Sequence, residues 1–288
     1  MPYIIQGMRD LMAKGQDLPT LPIYVLQLHR VLDKDTAGPP EAAAVIERDP
    51  ALVARLLRVA NSAAYSRGGP AVGSVTAAVQ RMGINQVRSI CMVLGVVKAF
   101  PGGSGGIDHQ RLWEHSAATA MLAQKLWRQF GDDSSFSSDD AYVAGLLHDV
   151  GLLILGQFFP RDHAEALAAA RAGPQHSLRR CEEELLAMDH GAVGGLLLGR
   201  WGLPQITQDA VIAHHHPEEA PESARQLARI IQAAEVLTTV GDAELFEEGE
   251  LEILPEAALA GLGADAETEA LFMAEAAKAG SWARGFLG

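Results

Sequence analysis

The chain has 288 residues and carries 36 acidic against 23 basic side chains, which gives a formal net charge of −13 at pH 7. This acidity argues against a nucleic-acid partner, because even the nearest basic cluster, Arg179-Arg180, is followed at once by Glu182 and two further glutamates. Hydrophobic residues make up 48% of the chain and aromatic residues only 6%, and the abundance of alanine and leucine favours helices over sheets.

Helical periodicity and helix-boundary signals recur through the first hundred residues. Leucine and valine recur at helical spacing over 21–32, and Gly38-Pro39-Pro40 breaks that helix. Asp49-Pro50 is a start signal, because it joins a capping carboxylate to a proline in the first helical turn. The Gly-rich segment 101–106 predicts a flexible linker that divides the chain into two parts.

The second part is also predicted to be helical. We find no persistent alternation of period two, so we expect few strands or none. The predicted helices are 108–130, one that begins near Ser138 and delivers His148-Asp149, 161–172, 179–199, 204–213 and 221–240. The remaining segment, 242–288, is acidic and alanine-rich, and we expect two short helices there. The predicted fold class is therefore all-α, as a two-part helical bundle.

Signals for export or membrane insertion are not apparent. Residues 1–10 contain no long apolar stretch, and no apolar run reaches the ~18 residues that a membrane span needs. The two cysteines, Cys91 and Cys181, have neither a disulfide framework nor a zinc-knuckle spacing. We expect a cytoplasmic protein without a membrane partner.

Potential metal ligands recur along the second part of the chain. Each lies on a predicted helix or at a helix end, and such spacing fits successive helices that present side chains to one central cavity. A single histidine on a helix is usually structural, but a series of five sites is harder to dismiss. The candidates are seven residues at these five sites: His115, the pair His148 and Asp149, His190, the pair His214 and His215, and Glu235.

These residue types suit one or two divalent ions such as iron, manganese or zinc. A carboxylate such as Asp149 can bridge two cations ~3.5–4 Å apart. Neutral imidazoles fill further positions without adding negative charge. His216 precedes Pro217 and is predicted to face solvent rather than a metal, while His163 has no partner in the pattern.

The order His115, His148-Asp149 and a final acid at Glu235 resembles the HD-domain superfamily of metal-dependent phosphohydrolases, in which the matching residues hold the metals. The additional His190 and His214-His215 resemble the extra ligands of the HD-GYP branch, which hydrolyses cyclic di-GMP.

A closer resemblance is to the HDOD family, the HD-related output domain of bacterial signalling proteins, which are all-helical regulatory modules. It rests on Leu18-Pro19-Thr20-Leu21-Pro22, on 49–62, on Asp189-His190-Gly191, and on Trp201-Gly202-Leu203-Pro204 followed by His214-His215. The resemblance predicts an N-terminal extension (1–17), an HDOD domain (18–240) and an acidic helical tail (241–288). The domain would comprise an N-terminal helical subdomain (18–100), a linker (101–107) and an HD-like subdomain (108–240).

The chain departs from the active HD-GYP enzymes at the positions that would meet substrate. Leu152 stands where those enzymes have a lysine that can meet substrate phosphate. No Gly-Tyr-Pro follows the histidine cluster, and Glu218 and Glu219 there would repel an anionic phosphodiester. Glu235 replaces the usual terminal aspartate. Each change weakens catalysis more than metal binding.

We therefore expect a non-catalytic regulatory module that binds a signalling protein, or a nucleotide second messenger such as a cyclic dinucleotide. The alternative is a metal-dependent phosphohydrolase of the HD superfamily that uses Asp149 as a bridging ligand. His148-Asp149 could also be a hydrogen-bonded pair that only holds two helices together.

Overall fold

The predicted all-α fold class is confirmed. The computed structural model describes residues 38–66, 68–100, 106–131, 136–172, 177–241 and 252–287, with isolated positions between 19 and 31. Helices account for most of these residues, and no β-strand occurs among them. Most of the predicted helix 21–32 and most of the predicted linker 101–106 lie outside the described residues.

The first compact unit is Pro19–Pro101. Its helices are α1 (Pro39–Ile46), α2 (Pro50–Ala60), α3 (Ala63–Ser66), α4 (Val75–Met82) and α5 (Ile84–Ala99). The predicted start of α2 is correct: Asp49 accepts hydrogen bonds from the backbone amides of Ala51 and Leu52 at 3.0 and 3.2 Å. Helix α5 buries Val87 and the free thiol of Cys91.

The second compact unit contains the described residues from 106 onward. Its helices are α6 (His109–Phe130), α7 (Ser138–Leu147), α8 (Val150–Phe158), α9 (Pro160–Arg171), α10 (Leu178–Leu186), α11 (His190–Arg200), α12 (Gln205–Ile212), α13 (Glu222–Gly241), α14 (Pro255–Ala260) and α15 (Ala266–Leu287), with a 3-10 turn at Pro217–Glu219. The predicted domain boundaries stay a prediction, because this division of the chain does not test them.

Helix α13 lies at the centre of the second unit. Leu227, Ile230, Ile231 and Leu237 on this helix are fully buried, and α13 packs against α6, α7, α12, α14 and α15. Burial of each such side chain contributes roughly 1.5–3 kcal/mol. Helix α13 thus anchors the core on which the neighbouring helices are placed.

The C-terminal segment belongs to this same core. Phe272 and Ala276 of α15 are buried in the cluster around α13, as are Ala258 and Leu259 of α14. The expectation of two short helices is wrong for the second, because α15 runs for 22 residues. Its small alanine side chains allow it to lie close along α6 and α13.

The predicted single helix over 179–199 is wrong. Ala187 adopts a left-handed conformation with φ of 58°, which ends α10. Asp189 then caps α11 by accepting a hydrogen bond from the backbone amide of Ala192 at 2.7 Å. The interruption makes His190 the first residue of a new helix instead of an interior one.

The apolar stretch Ser138–Phe158 is the one part of the described chain with the length and mean hydropathy, 1.4, of a membrane span. It is 89% buried within the protein, and it is divided by the turn at His148 and Asp149 into α7 and α8. Core helices of globular proteins have these same properties, so the stretch is weak support for a membrane span.

A close contact between two helices depends on Gly151. A Cβ atom added there would lie 1.9 Å from the carbonyl oxygen of His190 and 2.8 Å from the backbone nitrogen of Gly194. Only a residue without a side chain lets α8 approach α11 so closely. The contact fixes the distance between His148-Asp149 and His190.

We predict that Gly151→Ala destabilises the protein by roughly 1–3 kcal/mol, because the added methyl meets backbone that cannot move aside without shifting α11. Urea unfolding followed by circular dichroism measures the change. The matched control is Gly199→Ala in α11, where the added methyl meets the end of the Gln208 side chain. This control should be neutral or slightly stabilising, and equal effects of the two substitutions would contradict the prediction.

Candidate metal centre

All seven predicted site residues lie near one another in the second unit, and five of them lie at helix ends or turns. His148 and Asp149 form the turn between α7 and α8, His190 begins α11, and His214 and His215 follow the end of α12. His115 lies in the second turn of α6, and Glu235 lies within α13. Except for His215, these residues are buried.

The first group of potential ligands is His115, His148 and Asp149, whose ligand atoms lie within 4.8 Å of one another. The Oδ2 atom of Asp149 is 3.0 Å from Nε2 of His148 and 3.8 Å from Nε2 of His115. Two imidazoles and a carboxylate at this separation could hold one divalent cation.

The second group is His190, His214 and His215, whose ligand atoms also lie within 4.8 Å of one another. The other oxygen of Asp149, Oδ1, is 3.5 Å from Nε2 of His190 and 3.9 Å from Nε2 of His214. Asp149 thus faces the first group with one oxygen and the second group with the other, as a bridging carboxylate would.

Backbone carbonyls orient two of the rings. Nδ1 of His148 donates to the carbonyl oxygen of Gly145 at 2.8 Å, and Nδ1 of His214 donates to that of Val211 at 2.6 Å. A carbonyl oxygen can only accept, so Nδ1 carries the proton. The lone pair of each neutral ring is then on Nε2, on the side of Asp149.

Glu182 and His163 also contact the centre, although no sequence pattern indicated that they would. Glu182 is fully buried, and its Oε2 atom accepts a hydrogen bond from Nδ1 of His190 at 2.6 Å. His163 is also fully buried, with Nε2 3.2 Å from Oε1 of Glu182. The charged run around Glu182 resembles a solvated helix face, and His190 lies on the next helix, so no local sequence signal indicated the contact.

Glu235 lies beside the centre but outside both groups of close ligand atoms. Its Oε2 is 3.9 Å from Nε2 of His214, and its Oε1 is 3.8 Å from Nδ1 of His215. Burial raises the pKa of Glu235 to about 7, against the attraction of His148. Its role as a metal ligand stays a prediction.

Burial keeps several of the imidazoles in the neutral form that binds metals. Burial and repulsion from His148 lower the pKa of His115 to about 4 and that of His214 to about 3. Burial alone would raise the pKa of Asp149, but attraction to His148 and to the other surrounding histidines holds it well below its usual range. His148 is the exception, because burial alone would lower its pKa but attraction to Asp149 raises it. An ionised carboxylate beside the neutral imidazoles of His115 and His214 is a donor set suited to a divalent cation.

The hydrogen bonding of the buried polar atoms is a second indication that these residues fit a metal ion. Among the described residues, both Asp149 oxygens and the Nε2 atoms of His148 and His214 lack a hydrogen-bond partner of normal geometry. The 3.0 Å contact between His148 and Asp149 is not aligned for one. Buried charge without such partners is costly, and a cation would satisfy all of these atoms together.

His215 connects the centre to the surface. Its side chain is 16% exposed and lines two cavities of about 410 Å³ each. Acidic residues outnumber the arginines in both cavities, and Glu219 lines both. His216 also lines them, but its side chain is 43% exposed and belongs to neither ligand group.

Comparisons with known proteins relate the chain to one domain family and to several solved structures. Residues 18–217 match the HDOD domain family. The chain is similar to the crystal structure of an HDOD domain protein of unknown function from Geobacter sulfurreducens, with 26% sequence identity and a TM-score of 0.81. That similarity covers 98% of this chain and 96% of the other.

Two further relatives extend the comparison. A Shewanella amazonensis structure, provisionally described as a phosphohydrolase, is 25% identical with a TM-score of 0.76, over 96% of this chain and 98% of that one. An uncharacterized protein of Treponema pallidum is 26% identical over 230 residues, which cover 79% of this chain. The match spans 43% of that relative's length.

We predict that removing His115 flattens the pH dependence of stability in protein stripped of metal by chelator. Unfolded His115 binds a proton below its ordinary pKa of 6.5, whereas folded His115 does so only near pH 4. Stability is therefore lost as the pH falls between these values, by about 1–3 kcal/mol for this residue. Urea unfolding of wild type and His115→Gln from pH 7 downward measures it, and parallel curves would contradict the prediction.

Proposed function

We propose that this chain, which belongs to the HDOD family, is a non-catalytic regulatory module of bacterial signal transduction with a divalent metal centre in its second unit. The observation that carries the proposal is the convergence of His115, His148 and Asp149 with His190 and the His214-His215 pair around one buried carboxylate. We place the protein in the cytoplasm, with a signalling protein as its partner.

One or two ions of iron, manganese or zinc would be held by the two ligand groups that face Asp149. These residues would hold a metal whose charge would neutralise the buried carboxylate, and the ligands would thereby link helices that are distant in sequence. Because His115 comes from α6 and His214 from the turn after α12, the centre would join segments of the second unit that are about 100 residues apart in sequence. Metal binding would then stabilise the folded state that a partner recognises.

The surroundings of the centre favour binding over phosphoester hydrolysis. Leu152, at the position where a lysine meets substrate phosphate in the HD-GYP enzymes that this chain resembles, is fully buried. On the open side, Glu218 and Glu219 form a 3-10 turn beside the cavities at His215. Of the two, Glu218 is paired with Arg229 at 2.7 Å, which leaves that arginine less able to bind a phosphate.

A second candidate function is metal-dependent phosphohydrolysis. The position of Asp149 between two ligand groups favours it, because this arrangement suits a pair of ions that activate a water molecule and steady the departing oxygen. The similarity to the Shewanella amazonensis protein, provisionally described as a phosphohydrolase, points the same way. Binding of a cyclic dinucleotide without hydrolysis is a variant of the main proposal.

We predict that protein prepared without a polyhistidine tag or chelator contains about one or two equivalents of iron, manganese or zinc. His148→Ala should lose most of this metal, because it removes a first-group ligand that faces Asp149. Elemental mass spectrometry measures both proteins. His216→Ala is the matched control, since His216 lies outside both groups, and it should keep the metal.

The same measurement can contradict the proposal. Metal-free wild type whose folding is unchanged by His148→Ala would make the centre a hydrogen-bonded relic. Equal metal loss in His148→Ala and His216→Ala would show adventitious binding to histidines at the surface.

We predict no release of product from cyclic di-GMP or from a generic phosphodiester in the presence of manganese or iron. Chromatography of the incubated substrates measures turnover. Turnover by wild type that is lost in Asp149→Ala would contradict the main proposal and support the phosphohydrolase. Thermal stabilisation by cyclic di-GMP, with the dinucleotide recovered intact, would identify a messenger-binding module.

A further inference from the structure

A buried carboxylate that is not itself among the close ligand atoms contacts the second ligand group. Glu182 of α10 is fully buried and uses both of its oxygens. Oε2 accepts from the backbone amide of His190 at 2.9 Å and from its ring Nδ1 at 2.6 Å. Oε1 is 3.2 Å from Nε2 of His163 on α9. Three consecutive helices, α9 to α11, therefore meet at this one side chain.

The contact with Glu182 decides which nitrogen of His190 carries the proton. An ionised carboxylate only accepts hydrogen bonds, so Nδ1 of His190 must donate. A neutral ring then has its lone pair on Nε2. That atom lies 3.5 Å from Oδ1 of Asp149 and 2.8 Å from Nε2 of His215, which is the side of the ring where a metal would bind.

His190 differs in this respect from the other oriented rings of the centre. The Nδ1 atoms of His148 and His214 donate to backbone carbonyls, which are neutral. A carboxylate is a stronger acceptor, and it makes the imidazole a better electron donor at Nε2. Glu182 would therefore strengthen the second ligand group as well as orient it.

We infer that Glu182, held in place by His163, is a positioning residue that fixes the tautomer and orientation of His190 and, through its charge, strengthens His190 as a ligand in the second ligand group. The inference rests on the proposed metal centre for its effect on affinity. The tautomer, however, is a property of the metal-free protein and can be tested without that proposal.

The test compares Glu182→Met, Glu182→Gln and wild type. Methionine keeps most of the volume but cannot replace the carboxylate as acceptor for Nδ1. Glutamine keeps an oxygen for Nδ1 but loses the charge. Glu184→Met is the matched control, because Glu184 lies two residues further along the same helix and is exposed.

The first readout is the tautomer of His190 in metal-free protein, from nitrogen NMR of isotope-labelled histidine, with the signals assigned by their loss in His190→Gln. We expect the Nδ1–H form in wild type, in Glu182→Gln and in the control, and loss of that preference in Glu182→Met. An unchanged Nδ1–H form in a folded Glu182→Met protein would overturn the inference.

The second readout is zinc affinity by competition with a chelating dye. We expect Glu182→Met to weaken binding at one of the two groups by about 10–100-fold, with a smaller loss for Glu182→Gln and none for the control. Equal affinities of wild type and Glu182→Gln would overturn the inference, even if Glu182→Met failed to fold. Wild type that binds no zinc would contradict the proposed function, while the tautomer measurement would still decide the role of Glu182.

Discussion

The burial of the Asp149 carboxylate is the constraint on which the second unit depends. Four imidazoles lie within 3.9 Å of its oxygens, and they come from α6, from the turn before α8, from the start of α11 and from the turn after α12. A buried charge is tolerated only where such groups surround it. The close contact at Gly151 lets two of these segments, the turn before α8 and the start of α11, approach one another.

Most of the site residues lie in turns and at helix ends rather than in the middle of helices. His148 and Asp149 occupy a turn, His190 follows the left-handed residue Ala187, and His214 lies just beyond the end of α12. At His148 and His214 a nearby backbone carbonyl, that of Gly145 or Val211, sets the orientation of the ring, and at His190 the Glu182 carboxylate does so. The helix ends therefore place the potential ligands and also supply groups that orient their rings.

Under the proposed function, a buried donor set beside acidic cavities suits regulation better than turnover. The potential metal-binding atoms surround Asp149, and His215 lines cavities in which acids outnumber arginines. An anionic substrate would meet repulsion before it met the metal. A centre of this kind can instead link the core helices and make their packing sensitive to metal, which is a property that a signalling module can use.

The sequence by itself determined the helical class, the cap at Asp49 and the set of residues that could converge, because these depend on local periodicity and residue chemistry. It could not determine the break between α10 and α11, since Ala187 in a left-handed conformation has no local sequence signal. Nor could it show that Glu182 is buried: within a charged run it reads as a surface residue, and only packing of α9 to α11 turns it toward His190. Tertiary structure decided which helix ends meet, because contacts such as Gly151 on His190 join residues that are distant in sequence.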